Sequence, residues 1–223
     1  MEGQTQVVYE DGDLLVLSKP SGWVTTKERV GEKNPTVEEW LFSRVEKGLP
    51  RNGIVHRLDK GTSGLLLVSK NDKCLEILKG FFKKRQVKKR YLAMVGGEVS
   101  FDGVMEVPIG RTVFGKFGVK VEGKMSRSEF VLLKKYKKDG RIYSLVEVNL
   151  KTGRTHQIRV HFSYLGWPVL GDVIYGGEKI TINRPFLHAY KVEFKHPRSG
   201  KELVFELELP KELERVLEDY EEI

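Results

Sequence analysis

A single cysteine, Cys74, stands among 223 residues, so no intramolecular disulfide can form and a reducing compartment is the natural setting. The five histidines are scattered and lack cysteine partners at zinc-ligand spacing. No Walker-type phosphate loop and no metal-binding carboxylate cluster can be read along the chain, which argues against a metal-dependent nuclease or a phosphotransferase. No stretch approaches the ~20 apolar residues of a bilayer span. The opening residues MEGQTQVVYEDGD also lack a basic run ahead of an apolar one. The expectation is an unprocessed cytoplasmic protein, away from membranes. Gln and Asn are scarce, four and five respectively, a bias that suits hot growth and bears on no function.

What the chain has in quantity is charge, unevenly placed. The formal net charge is +8, yet residues 79–138 hold 16 Lys and Arg against 5 Asp and Glu, 16 − 5 = +11. The last segment, KELERVLEDYEEI, carries 2 − 6 = −4. A basic stretch of this kind attracts polyphosphate by counterion release and by steering. It is equally what a solvated basic face looks like, and charge alone leaves both readings open.

Periodicity and punctuation outline an α+β fold. VVYEDGDLLVLSKP reads as a hairpin closed by Pro20 and Gly22. Thr36 with Glu39 forms a capping-box pattern ahead of Val37, Trp40, Leu41 and Val45, which predicts a helix up to Gly48. The apolar run Leu65–Val68 reads as a buried strand, followed by a helix through Cys74, Leu75, Leu78 and Phe82. From Tyr91 onward the texture is mainly β, with SEFVLLKKY and RIYSLVEVNL as strands and the Gly- and Lys-rich stretch 111–127 as a flexible clamp or an ordinary long loop. Thr155 is placed to cap a helix through Ile158, Phe162 and Leu165, and a hairpin around PRSG precedes a last helix after Pro210. Without repeats or flexible linkers, the expectation is a single domain over 1–223, with a mixed, largely antiparallel central sheet flanked by helices and loops. Nothing calls for more than a monomer.

The segment HRLDKGTSGLLLVSK, His56 to Lys70, gathers charged groups at the mouth of a strand. A carboxylate there can be held rigid by the strand and still reach a pocket, as nucleophilic catalysis requires. It can equally be an aspartate that forms a turn. The full fifteen-residue string resembles the signature of the RluA-type pseudouridine synthases. Further similar strings follow in order: VLSKPSG at 16–22, KKRYLAMV at 88–95, VPIGR at 107–111, LKTGRTHQIRVH at 150–161, GWPVLGDVIYG at 166–176 and FLHA at 186–189. The similarity covers nearly the whole chain. It starts so close to residue 7 that the N-terminal S4-type module of some family members is not expected.

The resemblance implies the pseudouridine synthase fold with an RNA-binding cleft, and an enzyme that isomerises a specific uridine in structured ribosomal or transfer RNA. It assigns Asp59 as the nucleophile, Tyr91 as the aromatic residue against the target base, and Arg159 as the cation paired with the catalytic carboxylate. Arg57 is expected to fill the gap left by the flipped uridine. Leu187 is expected in the pocket wall, with His188 structural. Arg154, with His156, is expected to contact the RNA backbone or support its loop, with Arg154 counted among the substrate-binding residues. Lys19, Lys60, Lys70 and the Lys83–Arg90 cluster are expected to contact the RNA backbone, and His56 is expected to bind substrate beside them. Neither cofactor nor metal is expected for a redox-neutral isomerisation. The rival expectation is a noncatalytic RNA-binding protein that retains the fold.

Overall fold

A computed structural model describes residues 3–27 and 34–223. In chain order the elements are β1 (Gln6–Glu10), β2 (Leu14–Lys19), α1 (Val37–Leu41), β3 (Ser63–Ser69), α2 (Asp72–Lys83), β4 (Lys88–Gly96), β5 (Gly103–Arg111) and β6 (Phe117–Val119). There follow β7 (Lys124–Lys138), β8 (Arg141–Leu150), α3 (Gln157–Tyr164), β9 (Leu187–Lys195), β10 (Glu202–Glu206), α4 (Lys211–Glu218) and β11 (Glu221–Glu222). The chain divides into two compact units, Met1–Lys88 with Ala189–Leu207, and Lys89–His188 with Glu208–Ile223.

In the first unit the strand order is β1-β2-β3-β9, with β10 on β9. The pairs β1/β2, β2/β3 and β9/β10 are antiparallel. Both faces of β2 and β3 are covered, which is why LLVL and GLLLV read as unbroken apolar runs instead of alternating. On one face Leu14, Val16, Leu65 and Leu67 pack with Leu78, Val192 and Phe194. Helix α2 supplies Leu78 and Cys74 to that core and is capped by Asn71, whose side chain accepts from the Cys74 N–H. The Thr36–Glu39 capping box forms as predicted, with Thr36 accepting from the Glu39 N–H at 3.0 Å and donating to its carboxylate at 2.9 Å. The helix nevertheless stops at Leu41, short of Gly48: only Val37 and Leu41 are buried on it, too little apolar surface to carry further turns.

In the second unit the order is β4-β8-β7-β5-β6, with β11 on β7, again in antiparallel pairs. Met94, Tyr143, Leu145, Leu170 and Phe186 pack against Leu213, Val216 and Tyr220 of the C-terminal segment. The stretch 111–127 is a strand meander, not a long loop: β6 pairs with β5 from Phe117 to Val119, and β7 begins at Lys124. Its tips leave Val113, Phe114 and Val121 nearly fully exposed. Thr155 does not cap α3. His156 occupies the N-cap in the left-handed region at φ 57°, without a side-chain cap bond. Gln157 fixes that entry instead, accepting from the Thr152 hydroxyl and the Arg154 N–H and donating to the Arg127 carbonyl and the Ser128 hydroxyl.

Candidate active site

Asp59 lies on the loop entering β3, in the first unit. The loop is pinned from the segment 21–25. Thr25 Oγ1 donates to the Leu58 carbonyl at 2.8 Å and accepts from the Leu58 N–H at 3.1 Å, and the Gly22 N–H donates to the Lys60 carbonyl at 2.8 Å. The Thr62 N–H closes a turn on the Asp59 carbonyl at 3.0 Å. Gly64, at φ 123°, follows because a Cβ there would overlap the Ala189 carbonyl. Asp59 is half-buried on this frame, with Arg57 and Lys60 exposed on either side of it. A carboxylate so placed is held by backbone bonds on both flanks, which lowers the cost of aiming it.

Two expectations on this unit change. Lys19 is fully buried, and its Nζ donates to the carbonyls of Pro20 at 2.9 Å and Trp23 at 2.8 Å. It is an internal anchor of the segment that holds the Asp59 loop, and burial removes it from the RNA-backbone contacts. His56 accepts the Leu67 N–H on Nε2 at 2.9 Å and stacks on Phe82, with ring centroids 4.9 Å apart. That nitrogen is committed to β3, so the ring ties the loop to the strand. Lys70, in turn, pairs with Glu10 at 2.6 Å.

Asp11, Asp13 and His196 bring ligand atoms within 4.8 Å of one another. These groups already serve one another and their neighbours. His196 meets Asp11 at 2.8 Å, and Asp13 accepts from Arg198 at 2.6 Å and from Asn71 at 3.0 Å. Burial disfavours the Asp11 carboxylate, but bonds from the N–H groups of Asp13 and Leu14, the Tyr9 hydroxyl and His196 hold it well below the usual carboxylate range. The cluster fastens strand ends, and a cation there would compete with Arg198.

In the second unit, Tyr91 sits on β4 opposite Val148 and is 6% exposed. Lys89 precedes it by two residues and so shares its face of the strand. Burial pushes the Lys89 ammonium down to about 8. Arg90, on the other face, pairs with Glu147 at 3.1 Å. Within the basic run, Lys83, Lys84, Arg85 and Lys88 are exposed, whereas Lys89 and Arg90 are half-buried.

Arg159 is on the first turn of α3 and is 6% exposed. Asp172, itself 1% exposed, accepts from its Nε at 2.6 Å and from Nη2 at 2.9 Å. The guanidinium carbon lies 4.9 Å from the centre of the Tyr175 ring, and the Tyr175 hydroxyl meets His156 Nδ1 at 2.8 Å. Arg154 donates from Nε and Nη2 to the Met125 carbonyl of the protein itself, at 3.3 and 3.2 Å. Leu187 and His188 are buried at the start of β9. The structure thus gathers His56, Arg57, Asp59 and Lys60 on one loop of the first unit, and Arg154, His156 and Arg159 at the entry to α3 in the second. The sequence reading assigned no role to Asp172 or Tyr175. Both lie inside the GWPVLGDVIYG string, but nothing in their spacing announces that a carboxylate thirteen residues after Arg159 returns to it.

Comparison with known proteins places this geometry. The family model for RNA pseudouridylate synthase matches residues 13–164. An uncharacterized RNA pseudouridine synthase of Bacillus subtilis is 39% identical over 96% of this chain and 72% of its own length. The ribosomal large subunit pseudouridine synthase D of Nitrosomonas europaea is 35% identical, covering 96% of this chain and 64% of its own. The solved structure of human RNA pseudouridylate synthase domain containing 1 superposes with a TM-score of 0.77 at 28% identity, over 99% of this chain and 89% of that one. The chain therefore belongs to the RNA pseudouridylate synthase family, isomerases that act on RNA.

Proposed function

We propose that this chain converts a uridine of large-subunit ribosomal RNA to pseudouridine with Asp59 as its nucleophile. The observation that carries the reading is a half-buried aspartate, held on a doubly pinned loop, inside the string that resembles the family's nucleophile motif. Relatives named ribosomal large subunit pseudouridine synthase D support the choice of RNA.

The reaction breaks the bond from N1 of uracil to C1′ of the sugar, turns the base, and joins C5 to C1′. C5 gives up a proton and N1 gains one, so atoms and electrons balance without a cofactor. The Asp59 carboxylate either attacks C1′ or stabilises the positive charge that develops there. The family resemblance supports Arg159 as the cation that orients that carboxylate. The Tyr91 ring stacks on uracil, and its hydroxyl helps remove the C5 proton. Arg57, exposed beside Asp59, fills the space left when the uridine leaves its stack, offsetting part of an unstacking cost of about a few kcal/mol. Lys60 contacts the RNA backbone, and Leu187 walls the pocket. A cytoplasmic monomer suffices for this chemistry.

The test is to incubate the purified chain with unmodified large-subunit ribosomal RNA and, separately, with unmodified transfer RNA, and to map pseudouridine in each. Product at a defined position of the ribosomal RNA is expected. Product confined to transfer RNA would overturn the choice of substrate. RNA binding without product in either would favour a noncatalytic RNA-binding protein.

A further inference from the structure

Arg159 is held by groups for which the reaction has no other use. Asp172 takes one edge of the guanidinium through Nε and Nη2, Tyr175 covers its face, and His156 holds the Tyr175 hydroxyl. The loop bearing both partners is itself tightly folded. The Asp172 carbonyl accepts the N–H of Tyr175 at 3.1 Å and of Gly177 at 2.8 Å, and Ser163 Oγ of α3 donates to the Tyr175 carbonyl at 2.7 Å. Asp172 and Arg159 are both more than nine-tenths buried, so water competes little for their bonds. A guanidinium has five donors in a fixed plane. Bidentate capture of one edge fixes the direction of the others, and a ring against the face removes the remaining rotation.

We infer that Asp172 and Tyr175 are positioning residues for isomerisation, acting through Arg159 by fixing the plane of its guanidinium. This rests on the catalytic role proposed for Arg159. The bland alternative is a buried ion pair that only helps α3 and the 166–178 loop to fold.

The test is single-turnover tritium release from a large-subunit ribosomal RNA transcript carrying [5-³H]uridine, with enzyme in excess, beside the dissociation constant of the same RNA. Misaiming a catalytic group by about 1 Å costs on the order of 100-fold. Asp172→Asn, which keeps the shape and loses the charge, is therefore expected to lower the rate constant about 30- to 100-fold while RNA affinity stays within about 3-fold. A purely structural role lowers only the concentration of folded enzyme and leaves the rate constant at saturating enzyme unchanged. In an Arg159→Ala background, Asp172→Asn should cost less than about 3-fold, because the residue it acts through is gone.

Should Asp172→Asn fail to fold, Tyr175→Leu and Tyr175→Phe carry the test. The first loses the ring and should be about 10-fold slower, and the second keeps it and should return to within about 3-fold of wild type. Wild-type rate constants in Asp172→Asn or in Tyr175→Leu, with Arg159→Ala slow, would overturn this inference and leave the functional reading standing. An Arg159→Ala variant as fast as wild type removes the role of Arg159 and this inference with it. A wild-type chain that releases no tritium removes the functional reading itself.

Discussion

Lys19 bears the same charge as its exposed neighbours, and burial decides what it does. Its Nζ donates to the carbonyls of Pro20 and Trp23. Lys19→Met would leave both half-buried carbonyls without those bonds, at about 1–3 kcal/mol each. Chemical denaturation should show a loss of about 2–6 kcal/mol, while the salt dependence of RNA binding stays unchanged. His161 is a second case in which burial decides. Ser126 Oγ donates to the Val107 carbonyl, so it accepts from Nε2 of His161 at 2.9 Å, and His161 Nδ1 is a buried lone pair without a hydrogen-bond partner among the described residues. Protonation would place an N–H where no acceptor stands, and burial pushes the imidazole down to about 4. The unfolded chain then binds the extra proton first, between the ordinary histidine pKa and about 4. Stability from this group is full above pH ~6.5 and falls by on the order of 3 kcal/mol as pH drops through about 4. Urea unfolding of wild type and His161→Gln at pH 7 and pH 4.5 checks the sign, since the difference between them should shift in favour of the variant on acidification.

At the scale of elements, strands and helices were legible where the pattern had a simple cause. The runs of β2 and β3 are apolar because both faces are covered, and α2 announces itself by its buried stripe. The hairpin of β5 and β6 was not legible. β6 has three residues, and Gly115, Gly118 and Gly123 gave the segment the look of a loop. Gly123 is glycine because a Cβ would overlap the backbone of Ile109 across the ladder, a reason no local pattern carries. The entry to α3 was misassigned to Thr155 because its satisfaction is long-range: Gln157 reaches β7. Asp59, Tyr91 and Arg159 are proposed through motif strings, whereas the pairing of Asp172 depends on a chain return that only the fold reveals. Gly64 tests the frame behind Asp59. Gly64→Ala combines a left-handed backbone with overlap against Ala189 and should cost about 3 kcal/mol or more, read as a lowered midpoint of unfolding or loss of the cooperative transition.

For the whole molecule, the +11 of residues 79–138 divides once the fold is known. Arg90, Arg127, Lys134 and Lys135 are paired with acidic side chains, whereas Lys83 and Lys84 project from the end of α2. Lys83→Glu with Lys84→Glu should weaken RNA binding and flatten the plot of log affinity against log salt by about 0.7–0.9 for each phosphate that is no longer neutralised. An unchanged slope would take that helix end out of the RNA footprint. The chemistry is tested most directly at Asp59. Asparagine there keeps the volume and removes the proposed nucleophile, so tritium release from [5-³H]uridine-labelled ribosomal RNA should fall by at least about 1,000-fold while the dissociation constant for the same RNA stays within about 3-fold. An Asp59→Asn chain, verified by mass, that releases tritium at the wild-type rate would contradict the assignment.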